Sequence, residues 1–115
     1  MKKESKFEIF YTSNFKREAK VLSKKYISFE NDFEQVLLKL NEEPAFGTSI
    51  GKDCYKIRLQ IKSKHKGKSG GARLITLVKF VSESIYLLSV FDKSDKESIN
   101  DDELNEIIKG IQLHQ

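Results

Sequence analysis

The sequence predicts a single α+β domain over residues 1–115, with a twisted antiparallel β-sheet of about four strands, a leading helix hairpin and a short C-terminal helix. Three observations predict this fold. The length suits one domain with one core. Apolar residues recur at helical spacing in residues 15–40 and again after residue 100. Those between residues 54 and 92 follow patterns typical of strands, so the predicted order is β, α, α, β, β, β, α.

Residues 6–12, "KFEIFYT", alternate roughly with a period of two, which predicts the first strand. The following "TSN" offers helix caps. The first helix then has an apolar face formed by Phe15, Ala19, Leu22 and Tyr26. Ser28 can cap a second helix, whose face is Phe29, Phe33, Val36 or Leu37, and Leu40. Because Pro44 disfavours helical geometry in the residue before it, the helix hairpin ends there.

A loop, "PAFGTSIGKD" at residues 44–53, is predicted to lead into the strands. The next segment, "CYKIRLQIKS", alternates strictly and predicts a strand with an apolar face of Tyr55, Ile57, Leu59 and Ile61. Its opposite face is polar and carries Lys56, Arg58, Gln60 and Lys62. "ARLITLVKFV" is apolar on both faces and predicts a central strand, followed after a tight turn by "SIYLLSVFD". Short links between these three strands favour an antiparallel meander with helices on one face and basic residues on the other.

The chain ends in a predicted helix. Residues 100–103, "NDDE", form a capping-box-like start. The buried stripe of this helix is Leu104, Ile107, Ile108 and Ile111.

Positive charge is concentrated in the middle of the chain. The net charge is +4, but residues 52–79 contain nine Lys or Arg residues and one acid, Asp53, which gives this stretch +8 and the remainder −4. A localised positive field attracts phosphate backbones, so nucleic acid is the class of partner that the charge favours.

The bulk features also limit where the protein acts. No apolar stretch approaches the ~20 residues of a membrane span, and the basic N-terminus lacks the apolar region of a signal peptide. The single cysteine, Cys54, cannot form an internal disulfide, which suits a reducing compartment. We therefore expect a cytoplasmic protein without a membrane partner.

Several familiar chemistries do not fit the sequence. The "GKS" at residues 67–69 is not a phosphate-binding loop, because that motif needs glycine where Lys62 stands and a helix where a strand follows. There are two histidines, His65 and His114, and the acids lie away from the basic strands, so we expect no metal site and no cofactor. Asp53 alone cannot provide a carboxylate pair.

Chemistry performed by cations remains. RNA cleavage needs no external nucleophile, because the ribose 2′-OH can attack the adjacent phosphate if it is aligned and the developing charge is neutralised. Arginine grips phosphate oxygens in a fork, and a lysine among other cations can have a lowered pKa and act as a base. Lys56, Arg58 and Arg73 are therefore candidates for such a reaction, although each one alone is also a typical solvated strand residue.

The segments "DCYKIRLQ", "KGKSGGARLITLV" and "IYLLSVFDKSDKE", followed by a short helix, resemble the RelE/HigB-type toxins of bacterial toxin–antitoxin systems. The resemblance spans nearly the whole chain and implies a RelE-like, microbial-ribonuclease-like fold. It also implies messenger RNA cleavage in the ribosomal A site by 2′-OH attack, without metal. It places four catalytic residues on this sequence: Lys56, Arg58, Arg73 and Lys93. It implies RNA-binding residues in the lysine-rich hairpin: Lys62, Lys64, His65, Lys66 and Lys68.

Within these implied roles, Arg73 stabilises the phosphate and Lys56 or Arg58 acts on the 2′-OH. Lys93 binds phosphate or assists the leaving group, and His65 is an alternative general base. The sequence departs from RelE-type enzymes that stack a tyrosine on the substrate, because the aligned position is Ile99. That role is then either vacant or taken by another aromatic residue such as Phe91.

The resemblance also implies partners: a cognate antitoxin of the helix-turn-helix HigA type, messenger RNA and the ribosome, with operator DNA reached only through the antitoxin. Two other functions stay open. One is a ParE-like inhibitor of DNA gyrase, a branch that tends to lack the ribonuclease bases. The other is a non-catalytic module that binds RNA or DNA.

Overall fold

The computed structural model of the protein describes residues 7–64 and 70–113. They form five strands, three helices and one 3₁₀ turn, in the order β1 (Glu8–Tyr11), α1 (Ser13–Lys25), α2 (Phe29–Glu42), β2 (Thr48–Gly51), β3 (Cys54–Leu59), the 3₁₀ turn (Lys62–Lys64), β4 (Ala72–Lys79), β5 (Ser84–Asp92) and α3 (Asp101–Leu113).

The five strands form one sheet in the order β1-β5-β4-β3-β2. The predicted α+β class is confirmed, and so is the antiparallel meander of β3, β4 and β5. The sheet differs from the prediction at both edges. It has a fifth strand, β2, and its first strand, β1, runs parallel to β5.

Strand β1 is parallel to β5, and the helix hairpin connects β1 at one edge of the sheet to β2 at the other. Ile9 is the register partner of Ile85. The hydroxyl of Thr12, just after β1, donates to the carbonyl oxygen of Leu87 at 2.8 Å and accepts a hydrogen bond from the backbone N–H of Phe15. The predicted cap of α1 is therefore confirmed, and the same side chain ties the helix start to β5.

The prediction of a loop over residues 44–53 is partly wrong, because residues 48–51 form strand β2 and pair with β3. The two strands are joined by Lys52 and Asp53, which have φ angles of +57° and +62°. Positive φ at both central residues is typical of the type I′ turn that suits a two-residue hairpin. Gly47 lets β2 approach β3 closely, since a Cβ there would lie 2.7 Å from the carbonyl oxygen of Lys56.

The sheet is covered on both faces. Helices α1 and α2 pack on one face, over a cluster that includes Phe15, Leu40 and Ile57. Helix α3 packs on the other face through Leu104, against a second cluster that includes Ile75 and Leu88. The prediction that all helices lie on one face is therefore wrong for α3, because the central strands are apolar on both faces and both must be buried.

The remaining caps give one confirmation and one correction. The side-chain oxygen of Asn100 accepts from the backbone N–H of Glu103 at 2.8 Å, as expected for the start of α3. Ser28 stands at the start of α2 but makes no side-chain cap. Its hydroxyl instead donates to Asp32 at 2.7 Å. Among the described helices, none has the length and apolar character needed to cross a bilayer.

Candidate nucleic-acid interface

The candidate interface lies on the sheet face that α3 covers only in part. On this face β3 presents residues 54, 56 and 58, and β4 presents residues 73, 75 and 77. Cys54, Ile75 and Leu77 belong to the cluster beneath α3. The residues next in line at the other end of the same face are basic: Lys56, Arg58 and Arg73.

Arg58 and Arg73 are register partners on neighbouring strands. Arg58 is exposed, whereas Arg73 is only 5% exposed and donates from Nη1 to the carbonyl oxygen of Ala72 at 2.9 Å. Burial lowers the pKa of Arg73, the positive charge of Arg58 lowers it further, and Glu97 opposes both effects. The guanidinium nevertheless stays charged at any physiological pH. This pair of like charges therefore favours an anion that contacts both groups.

Lys56 precedes Arg58 by two positions on the same face of β3, and its register partner on β4 is Ile75. Its side chain is half-buried. Three of the four predicted catalytic residues thus share one face of two adjacent strands, with spacings fixed by the sheet.

Lys93, the fourth, follows the end of β5. Its backbone N–H donates to the carbonyl oxygen of Gly71 at 3.0 Å, which places it beside the start of β4, at the same end of the sheet as Arg73. Its ammonium group lies 3.9 Å from a carboxylate oxygen of Glu97. Glu97 is mostly exposed, and such pairs contribute little, so Lys93 remains accessible to a stronger anion.

The predicted RNA-binding lysines do not share one environment. Lys62 is exposed at the start of the 3₁₀ turn. Lys64 instead points inward, where its ammonium group is 2.7 Å from a carboxylate oxygen of Asp92 and its side chain is 7% exposed. His65, Lys66 and Lys68 lie outside the described residues. The arrangement therefore differs from a hairpin whose lysines all face solvent.

Asp92 is the residue that sequence analysis missed. Its carboxylate accepts hydrogen bonds from Lys64, from the hydroxyl groups of Tyr26 and Ser94, and from the backbone N–H of Ser94. Burial alone would raise the pKa of Asp92, but the hydrogen bonds from Lys64, Ser94 and Tyr26 outweigh it and hold the pKa well below its usual value. A signal was available, because an acid ends an otherwise apolar strand in "YLLSVFD".

The aromatic residue considered for substrate stacking is covered. Phe91 is the register partner of Arg73 but is 6% exposed, and the ammonium group of Lys96 lies 4.8 Å from its ring centre. Ile99 is also buried in the α3-side cluster. Of the two positions considered, neither presents an open aromatic ring to a base.

Comparison with known proteins assigns this fold to a family. The model of a family described as RelE toxin of RelE / RelB toxin-antitoxin system matches residues 7–112. The structure of a mutant of E. coli toxin RelE in the free state is similar, with a TM-score of 0.59 and 19% sequence identity over 90% of this chain and 95% of that one. The isolated E. coli RelE toxin is also similar, with a TM-score of 0.57 and 19% identity over 91% and 98% of the two chains. No curated protein sequence matches significantly.

The chain is thus a toxin component of a toxin–antitoxin system. It belongs to the RelE toxin family, since the family model covers nearly all of its length. The resemblance expected from the sequence is confirmed, and membership implies a cognate antitoxin.

Proposed function

We propose that this toxin is a metal-independent endoribonuclease that cleaves messenger RNA on the ribosome by attack of a ribose 2′-OH on the adjacent phosphate. The observation that supports the proposal is the Arg58–Arg73 pair on a sheet face that also carries Lys56. Cleavage of this kind gains most from fixed positive charge placed where the phosphorane becomes more negative.

Each base has a proposed role. Arg73 stabilises the phosphorane, because its guanidinium is held by the carbonyl group of Ala72 and is poorly solvated, so a phosphate oxygen replaces little water. Arg58 or Lys56 positions the 2′-OH or accepts its proton. Lys93 binds phosphate or assists the leaving group. Because these groups lie on strands and at a strand end, little reorganisation is needed when substrate binds.

The lysine-rich segment is proposed to hold the RNA backbone through Lys62, Lys66 and Lys68, with His65 as an alternative general base. Lys64 is left out of this proposed set because its ammonium group is bound to Asp92. The proposed setting is the cytoplasm, where messenger RNA and ribosomes are found.

The proposed antitoxin is a helix-turn-helix protein of the HigA type, with an acidic or amphipathic segment that covers the basic face and with operator DNA bound only through the antitoxin. Such a segment would compete with RNA for Arg58 and Arg73. Adding the purified antitoxin should therefore stop cleavage, and an antitoxin that leaves cleavage unchanged would contradict this part of the proposal.

The decisive experiment compares the wild type with Arg73→Gln and a matched control, Arg17→Gln. Arg17 is an exposed arginine on α1 whose substitution makes the same change in net charge away from the site. Transcript 5′ ends are mapped after brief expression, and cleavage is measured in a translation reaction with and without ribosomes. We expect Arg73→Gln to lose roughly 100-fold or more in cleavage rate and Arg17→Gln to match the wild type.

A folded Arg73→Gln variant that cleaves like the wild type would overturn the proposed mechanism. Intact messenger RNA together with accumulated DNA–gyrase cleavage complexes would support gyrase inhibition instead. Salt-dependent RNA binding without cleavage, whether or not ribosomes are present, would support a non-catalytic binding module.

A further inference from the structure

Asp92 connects segments that are far apart in the chain. It is the last residue of β5 and is 1% exposed. Its carboxylate contacts Lys64 of the 3₁₀ turn at 2.7 Å, Lys25 at the end of α1 at 3.4 Å, the hydroxyl group of Tyr26, and the backbone and side chain of Ser94. One buried charge therefore fixes three segments at the same end of the sheet.

This end of the sheet is also where the candidate interface lies. Asp92 is the register partner of Ala72, whose carbonyl oxygen accepts the hydrogen bond from Arg73. The residue after Asp92 is Lys93, which is bonded through its backbone to Gly71. A shift in the Asp92 backbone would thus move Arg73 and Lys93 together, although the Asp92 side chain points to the opposite face.

A second buried acid holds the same 3₁₀ turn from the other side. Asp32 of α2 accepts a hydrogen bond from the backbone N–H of Lys62 at 3.0 Å. The Ser28 hydroxyl, which donates to Asp32, also accepts from the backbone N–H of Ser63 at 2.9 Å. The position where the chain enters the lysine-rich segment is therefore fixed by two carboxylates, from α2 and from β5.

The contacts of Asp92 also decide which lysines can reach RNA. Lys64 is nearly buried by its pairing with Asp92, whereas Lys25 is about half exposed. The ring of Tyr26 lies beneath both ammonium groups, 5.5 Å from that of Lys64 and 5.3 Å from that of Lys25. Asp92 thus withholds the charge of Lys64 from the surface while it fixes the 3₁₀ turn that contains Lys62.

We propose that Asp92 is a positioning residue of this enzyme: it fixes the start of the lysine-rich segment and Lys93 relative to Arg73, and it holds Lys64 out of the RNA-binding surface. This inference rests on the proposed ribonuclease function. Asp92 touches neither substrate nor reacting atoms, and acts only through the lysines and the backbone that it holds.

The test is Asp92→Asn, which keeps the size of the side chain and removes its charge. Freed Lys64 adds a cation to the RNA surface, so we expect RNA to bind several-fold more tightly and the slope of log K against log salt to steepen by about 0.7 for one more phosphate contact. Because the bases are then less well placed, kcat should fall at least tenfold. A lower KM together with a lower kcat is the signature, since simple loss of structure would weaken binding and turnover alike.

The matched control is Asp95→Asn. It makes the same change in net charge at an exposed residue three positions away. This control should leave kcat at the wild-type value. If Asp95→Asn lowers kcat as much as Asp92→Asn does, the effect is one of net charge and the positioning role is overturned.

A measurement without RNA separates this inference from the nuclease proposal. In the wild type, acetylation of surface amines followed by mass spectrometry should modify Lys62 at least tenfold faster than Lys64. In Asp92→Asn the two rates should become similar. Equal rates in the wild type would overturn the anchoring of Lys64, whether or not the protein cleaves RNA.

Should Asp92→Asn fail to fold, Tyr26→Phe removes a single hydrogen bond to Asp92 and should show the same split in KM and kcat to a smaller degree. If Tyr26→Phe cleaves RNA with the kcat of the wild type, the positioning role of Asp92 is overturned and the proposed ribonuclease function is not. A wild type that does not cleave would overturn the proposed function and the positioning role with it, while the acetylation result would still report on Lys64.

Discussion

Arg58 and Arg73 stand side by side on β3 and β4, one exposed and the other 5% exposed, so that two positive charges face the same side of the sheet. The register partners of Arg73 are Arg58 on β3 and Phe91 on β5. Like charges directly opposite one another in a sheet are destabilising. An anion that bridges them converts this repulsion into binding.

We therefore expect sulfate to stabilise the folded protein through these two residues. At ten times its Kd, a ligand that binds only the folded state adds about 1.4 kcal/mol to the free energy of unfolding, which raises Tm by several degrees for a domain of this size. Thermal unfolding in sulfate and in chloride of equal ionic strength measures the effect. Arg58→Gln and Arg73→Gln should each lose most of it.

Sulfate also stabilises proteins by exclusion from their surfaces, so a control is needed. Arg17→Gln should keep the full difference between sulfate and chloride. An equal loss in all three variants would mean that sulfate recognises net charge rather than this pair.

Because of the buried pair of Asp92 and Lys64, the free energy of unfolding should decrease as the pH falls into the acid range. The pKa of Asp92 is lowered in the folded protein, so its contribution is complete above the unfolded pKa of about 3.9 and is lost as pH falls through the folded value. At pH 7, Asp92→Asn breaks the ion pair and releases Lys64 to solvent, so the folded protein loses the hydrogen bonds to a charged carboxylate and should lose roughly 1.5–3 kcal/mol of stability. Urea unfolding at pH 7 and at pH 2.5 should show that difference shrink in acid.

Asp95→Asn is the control for this measurement and should unfold at nearly the wild-type urea concentration at both pH values. A difference between wild type and Asp92→Asn that stays constant down to pH 2.5 would contradict the lowered pKa.

Cys54 should be unreactive in the folded protein. Its side chain is fully buried beneath α3, and burial, together with the charge of Asp53, raises the pKa of its thiol to about 11. At pH 8 the thiol is neutral and inaccessible, so labelling by a thiol reagent requires local opening. We expect labelling roughly 1000-fold slower than in urea, corresponding to an opening free energy of about 4 kcal/mol.

Ser98→Cys supplies an exposed thiol in the same chain and should react at once. Rapid labelling of Cys54 in the folded protein would mean that α3 leaves the sheet readily at room temperature.

Glycine at position 53, in the turn between β2 and β3, should stabilise the folded protein. Asp53 has a φ of +62°, a conformation that costs a residue with a Cβ about 1 kcal/mol and costs glycine almost nothing. Asp53→Gly should therefore raise the free energy of unfolding by about 0.5–1 kcal/mol in a urea titration. Asp53→Ala keeps the Cβ and should not stabilise, so equal gains in the two variants would contradict the argument.

The sequence predicted the central sheet well because its signal is local. The alternation from Tyr55 to Lys62 leaves one arrangement in which apolar side chains meet a core and basic ones do not. Strand β2 was missed because it is short, largely exposed and polar, and only its pairing with β3 makes it a strand.

Two further features depend on distant parts of the chain. The stripe of α3 is evident in the sequence, but an amphipathic helix does not indicate which side of a sheet it will cover. Lys64 looks like its neighbours in a lysine-rich stretch, and its burial becomes visible only when Asp92, 28 positions away, is placed beside it. The positions of the basic residues on the sheet were therefore predictable from the sequence. The sheet face that α3 covers and the pairing of Lys64 with Asp92 were not.

The parallel pairing of β1 with β5 joins segments that are far apart in the chain, so it constrains the order in which the fold can form. The Thr12 hydroxyl donates to the carbonyl oxygen of Leu87, 75 residues later. Strand β1 therefore cannot pair with β5 until Leu87 has been translated. A nascent chain that stops before Ser84 has neither this contact nor the end of β5 that carries Asp92. The sheet that carries Arg58 and Arg73 therefore lacks β5, the neighbour of β4, until residues 84–92 have been made.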